Sequence, residues 1–322
     1  MNTIPTTFKR PRISYTMVGG KRSATGKANF PGFTLCLLNR GGRLFKQEQF
    51  AELERLGFPE IISLEGPGEL YDLESLTLKF PTIRFLLLHE EASAGEQVNM
   101  ALEEASGEYV IVLWNDMKIA PGSLSYRLLE RIIKQEALCV VPILQNYKLE
   151  TIPTIQAPAF YKTLLKVVPL YPSADGMLTL FPYDFVGIYS RERFILSGGY
   201  DYSLSNPYWQ KMDFGFRNYM WGEKILCQTA LRFSYINDPT LEDNTPDHSY
   251  RFFYLKNLAV RFNGEAGVLP WRKFLPYSMK AGSGFFSGLS DFKEVRRWVQ
   301  VNQYRFKQDA RSVTELWEVP EV

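Results

Sequence analysis

Four apolar runs between Phe33 and Asp116 each stop on polar residues, with stretches of helical spacing between them, and no other feature constrains the fold as much. FTLCLL closes on Asn39, Arg40 and two glycines, EIISL on Glu65 and Gly-Pro-Gly, TIRFLLL on His89, and YVIVLW on Asn115 and Asp116. Unbroken runs of this length are expected of strands buried on both faces. Between them, QEQFAELERLGF spaces Phe50, Leu53 and Leu56 as a helix ending at Gly57, and AGEQVNMALEEASGE supplies another amphipathic helix. The alternation predicts an α/β fold: a mixed, mainly parallel sheet flanked by helices, which takes its ligands at the carboxyl ends of strands. Asn39, Glu65 and Asp116 fall at such ends.

Composition narrows the class. A chain of 322 residues with 45% hydrophobic content can bury a large core. No run reaches the ~18 apolar residues of a membrane span, and the N-terminus lacks the apolar region of a secretory signal, so a cytoplasmic location is expected. Cys36, Cys139 and Cys227 are widely spaced in apolar runs, which suits buried free thiols better than disulfides or zinc. The net charge of +2 is unevenly spread. Residues 1–32 form a basic arm with Lys9, Arg10, Arg12, Lys21, Arg22 and Lys27, and its GGKRSATGKA is no phosphate loop, because the glycine spacing is wrong and Ala28 stands where Ser or Thr would hold magnesium. From Arg251 to Lys307, Lys and Arg outnumber acids and interleave with aromatics such as Trp271, Phe274 and Trp298. That mixture suits an anionic membrane surface as well as it suits a core with solvated charges. No nucleic-acid motif accompanies it, and nucleic acid is not an expected partner.

Two longer blocks carry a resemblance. NMALEEASGEYVIVLWND holds Asn99, Ala105, Gly107 and Glu108 ahead of the strand and Asp116 after it. SRERFILSGGYDYSLSNPYWQKMDFGFRNYMWGEKI holds Arg191, Phe194, Gly198, Gly199, Tyr200, Asp201, Asp213, Arg217 and Gly222. In order and separation these blocks resemble the two signatures of family 2 glycosyltransferases of the GT-A fold, across most of residues 33–240. The resemblance implies a GT-A-like domain over 33–240 with a C-terminal helical and aromatic extension over 241–322. It also implies a nucleotide-sugar donor, UDP-sugar favoured, near Asn39, Glu65, Asn99, Asn115 and Asp116. In the family, Mn²⁺ or Mg²⁺ held by a D-x-D motif neutralises the leaving diphosphate, and Asp116 would be its carboxylate here, with Asp238 or His248 as the further ligand. An inverting transfer would use Asp213 or another group as base toward a glycan, lipid-linked or protein acceptor.

This chain departs from the family at two places. Trp114 stands at the first Asp of D-x-D and cannot ligate a hard cation, and Gln210-Lys211 replace the Glu-Asp pair that supplies the base. The alternative reading is therefore a glycosyltransferase-like scaffold or binding protein that has lost the chemistry. In the extension, LPWRKFLPYSMKAGSGFFSG reads as a lid or loop. A terminal amphipathic helix follows, with Asp291 as N-cap and an apolar face of Phe292, Val295, Trp298 and Val299.

Overall fold

The computed structural model describes residues 13–20, 28–40, 46–67, 73–161, 164–280 and 285–317. Its elements run β1 (Tyr15–Gly19), β2 (Phe33–Leu38), α1 (Lys46–Leu56), β3 (Glu60–Glu65), α2 (Leu73–Lys79), β4 (Ile83–Leu88), α3 (Ala94–Glu104), β5 (Tyr109–Trp114) and β6 (Met117–Ile119). Next come α4 (Tyr126–Lys134), β7 (Cys139–Gln145), β8 (Ile155–Tyr161), β9 (Leu164–Leu170), β10 (Gly187–Ser190), α5 (Arg191–Ser197), α6 (Pro207–Met220) and β11 (Ile225–Tyr235). The extension holds α7 (His248–Phe253), β12 (Arg261–Phe262), β13 (Gly267–Val268), α8 (Phe274–Lys280), α9 (Phe285–Asn302) and α10 (Ala310–Glu315).

The four apolar runs become β2 to β5, with β2 buried at every position. The described sheet has the order β1-β4-β3-β2-β5-β10-β7-β11-β6. β2 to β5, β7 and β11 point one way, while β1, β10 and β6 oppose them, so the sheet is mixed and mainly parallel. Part of the basic arm belongs to this sheet: Tyr15–Gly19 pairs antiparallel with β4, and His89 bonds Thr16 Oγ1 through Nε2 at 2.8 Å and Ser14 Oγ through Nδ1 at 3.2 Å. Residues 1–12 and 21–27 of the arm lie outside the described residues. All three cysteines are free and buried.

Helix starts follow local chemistry. Ser93 and Glu96 close a capping box on α3; Asn206 accepts from Tyr208 and Trp209 at the start of α6, where Pro207 supplies a first residue that needs no N–H partner. From Trp209 to Met220 every residue of α6 is buried, the mark of a helix enclosed on all sides. Gly215 permits this, because a Cβ there would meet the Leu180 carbonyl oxygen at 2.2 Å.

The extension packs on the same body. Phe292, Val295, Trp298 and Val299 are all buried, but α9 begins at Phe285, so Asp291 is an interior residue bonded by Tyr277 Oη at 3.4 Å and not the expected N-cap. The expected lid contains α8. No described helix is long and apolar enough to cross a membrane.

A π-helical turn at Tyr254–Leu258 sends Lys256 inward, where Nζ lies 2.6 Å from Asp201 Oδ2 and 3.0 Å from Asp213 Oδ1. Burial pushes the Asp201 carboxyl up, but the Lys256 charge and hydrogen bonds from Lys256 and Ser203 outweigh it and hold the group below its ordinary value. Replacing Lys256 by Met leaves two buried carboxylates without their ammonium, and we expect a loss of about 3–5 kcal/mol in urea unfolding at neutral pH. The stability that Asp201 gains from its lowered pKa is present above the ordinary carboxylate range and disappears as pH falls through the lowered value. The deficit of the Lys256→Met protein should therefore narrow on acidification; a gap that is small or independent of pH contradicts this account.

Candidate active site

Parallel register sets the site. β3, β2 and β5 are neighbours, with Leu38 opposite Trp114 and Leu37 opposite Ser63, so Glu65, Asn39 and Asn115 emerge in a row at their carboxyl ends. Asn39 Nδ2 donates to Glu65 Oε2 at 3.2 Å, and Asn115 Nδ2 donates to Asn39 Oδ1 at 3.3 Å. The Gln97 amide clamps the Asn39 backbone, accepting from its N–H at 2.9 Å and donating to its carbonyl at 3.0 Å. Glu65 also receives Ser63 Oγ at 2.7 Å and the Lys46 ammonium at 2.6 Å. Lys46, at the start of α1, carried no motif that marked it in the sequence.

One register step further, Arg40 follows β2 and Asp116 follows β5. Arg40 Nε lies 3.5 Å from Asp116 Oδ2, Nη2 donates to Asp184 Oδ2 at 2.5 Å, and Nη1 donates to Thr240 Oγ1 at 2.9 Å. The guanidinium lies over the Trp114 ring, 3.9 Å from its centroid. Trp114 Nε1 donates to the Asp184 carbonyl at 2.7 Å, and Tyr235 Oη to its carboxylate at 2.7 Å. Asp184 and Phe185 both have left-handed backbones, with φ of 52° and 63°, a conformation that costs non-glycine residues about 1–3 kcal/mol each and persists where surroundings enforce it. Burial pushes the Asp116 carboxyl above its ordinary value, Arg40 draws it down and Asp184 raises it again.

The second block lies beside this group. Lys211 is buried in a cage of Phe181, Tyr183 and Phe185, each ring 5.3–5.5 Å from Nζ, and donates to Glu242 from the segment after β11. Burial, then the Glu242 charge, pushes both the Tyr183 and Tyr208 phenols up to about 12. Gln210 Nε2 donates to Ser93 Oγ at 2.9 Å, and its Oε1 accepts from Gly95 N at 3.2 Å, tying α6 to the cap of α3.

Other candidates lie elsewhere. Asn99 binds the Tyr200 backbone in both directions, donating at 2.7 Å and accepting at 2.9 Å, and so joins the two sequence blocks. Asp213 is fully buried and engaged by Arg217 Nε at 3.2 Å, Asn257 Nδ2 at 2.8 Å and Lys256. Asp238 is exposed. His248 Nε2 lies 3.9 Å from Asp291 Oδ2, and it lines an open cavity of about 1340 Å³ with Arg251, Lys273 and Tyr277 whose lining does not include Asp116. Asp184, Glu242 and Lys46 are the charged members that the motifs did not mark.

The expected Mn²⁺ or Mg²⁺ finds no ready set of donors. Among the described residues no three His, Cys, Asp or Glu side chains gather into a cation site, and Asp116 and Asp184 already flank the Arg40 guanidinium. These side chains, as arranged, do not fit a divalent ion.

No family model and no curated protein matches the chain. Solved structures match in fold. The crystal structure of GalNAc-T7 with UDP, GalNAc and Mn²⁺ aligns at a TM-score of 0.54 and 15% identity, over 91% of this chain and 59% of that one; the chain thus spans about three fifths of its length. The 1–349 fragment of S. aureus TarS in complex with UDP aligns at a TM-score of 0.50 and 12% identity, over 82% of this chain and 70% of that one. Both neighbours are GT-A glycosyltransferases, and this chain has their fold.

Trp114 supports both Arg40 and Asp184, and two substitutions separate the roles. Trp114→Phe keeps a ring under the guanidinium but leaves the Asp184 carbonyl unpaired, for an expected loss of about 1–3 kcal/mol. Trp114→Asp removes the ring and adds a third carboxylate, and about 3–5 kcal/mol is expected by chemical denaturation. Equal stability of the three proteins would refute the supporting role.

Proposed function

We propose that the protein is a glycosyltransferase that moves a sugar from a nucleotide-sugar donor, UDP-sugar favoured, to an acceptor hydroxyl with inversion. The observation that carries this reading is the row Glu65, Asn39, Asn115 and Asp116 at the carboxyl ends of adjacent parallel strands, where this class of sheet takes its ligands. The fold shared with two UDP-bound transferases supports it. In the proposed complex, Glu65 and the two asparagines take the hydroxyl and amide groups of the nucleoside, and the sugar lies toward Asp116 and Glu242.

Glu242 is our choice of base in preference to Asp213. Its side chain is 21% exposed, against 0% for Asp213, and it pairs with Lys211 at the position of the family's carboxylate pair. In one displacement the acceptor oxygen attacks the anomeric carbon, its proton passes to Glu242, and the bond from that carbon to the diphosphate oxygen breaks. Because the carboxylates beside Arg40 do not fit a divalent ion, no step of this proposal uses one.

Calorimetric titration with UDP, GDP and TDP tests the donor site, and product formation from the matching radiolabelled nucleotide sugars tests transfer. We expect UDP to bind, Asp116→Ala to abolish transfer, and Glu242→Gln to lower kcat by about 100-fold or more with UDP affinity unchanged. Failure of every nucleotide to bind would favour the scaffold alternative. Full turnover by Glu242→Gln would remove Glu242 from the mechanism and leave the donor site standing.

A further inference from the structure

We infer that Arg40 is the resident cation of the donor site, standing where a divalent ion would face the diphosphate, and that Asp184 replaces the carboxylate missing at position 114. This inference rests on the transferase reading and adds to it a way of binding a diphosphate without metal. Trp114 is the starting point, because the residue that removes one D-x-D carboxylate does two other things. Its ring carries the Arg40 guanidinium, and its indole N–H holds the Asp184 carbonyl, so that the Asp184 carboxylate meets the same guanidinium as Asp116. A substitution that only erased a metal ligand would not require the left-handed backbone at Asp184 or the bond from Tyr235.

Arg40 is fixed from three segments: Trp114 and Asp116 at the end of β5, Asp184 before β10, and Thr240 after β11. A divalent ion between the two carboxylates would lie against this guanidinium, and like charges a few ångströms apart repel strongly in a site this buried. The ion could enter only by breaking those contacts. Arg40, in contrast, has five N–H donors, of which two are used in hydrogen bonds, to Asp184 and Thr240. Nε faces Asp116, and the second hydrogens of Nη1 and Nη2 remain to meet phosphate oxygens, for which a planar fork is well matched. Asp116 Oδ1 is buried without a hydrogen-bond partner, and a hydroxyl of the arriving donor would satisfy it.

The test is calorimetric titration of the whole chain with UDP in EDTA and again in Mn²⁺. Wild type should bind UDP with affinities within about twofold in the two buffers, and Arg40→Gln should bind about 10- to 100-fold more weakly in both. Arg40→Lys, which keeps the charge and loses the fork, should fall between them. A second measurement holds if nucleotide binding by the glutamine variant is lost through misfolding: Mn²⁺ alone, followed by electron paramagnetic resonance, should stay unbound with wild type. UDP binding that requires Mn²⁺, or wild-type affinity in folded Arg40→Gln, overturns the inference while leaving the transferase reading intact, since nucleotide still binds. Tight Mn²⁺ binding by wild type without nucleotide also overturns it. No UDP binding in either buffer brings down both.

Discussion

The ammonium of Lys256 between Asp201 and Asp213 ties together parts of the chain that are far apart in sequence. Asp201 belongs to the turn after α5, Asp213 to the fully buried helix α6, and Lys256 to the extension. Arg217, one turn beyond Asp213, reaches back to the carbonyls of Ser197 and Gly199. Two buried carboxylates and two buried cations thus share one network, in which each charge is acceptable only while its partners are present. The extension is therefore part of the same folded body: without its lysine, Asp201 would lose its cation in the core and Asp213 would be left with Arg217 alone.

This network belongs to a wider set of contacts that gives many of the motif residues a structural role. Asn99 bonds the backbone of Tyr200, Arg191 donates to the carbonyls of Leu102 and Glu103 at the end of α3, and Gly198 takes the left-handed cap of α5. All of these clamp the helices behind the strand ends. A chain that resembles a transferase through such residues is constrained in how it holds its helices, and that constraint says little about the residues that face a donor. The two departures from the motif, at Trp114 and Lys211, lie instead beside Arg40 and Glu242.

What the sequence made legible follows the same division. Strands β2 to β5 announce themselves because a strand buried on both faces must be apolar throughout, and the row of Asn39, Glu65, Asn115 and Asp116 follows once those strands are parallel and adjacent. β1 is only partly apolar, since an edge strand has one side of its ladder open, and it merged with the basic arm. Asp291 looked like a cap because it precedes an apolar stripe, yet the helix continues four residues or more before it and buries the carboxyl against Tyr277. Asp184 could not be read at all. Its place depends on a left-handed backbone enforced by an indole donor from β5 and a hydroxyl from β11, and neither contact leaves a local pattern.

Both departures share one physical form. Where the resemblance would put a carboxylate on the frame of the sheet or of α6, this chain has a large side chain, Trp114 or Lys211, and a carboxylate from a connecting segment lies against it: Asp184 beside the first, Glu242 beside the second. In each case the segment is held by that large side chain, through the Trp114 indole in one and the Lys211 ammonium in the other. The Arg40 guanidinium, with Asp116 and Asp184 both beside it, joins these supports into one cluster in which each charge is held by a contact from another segment.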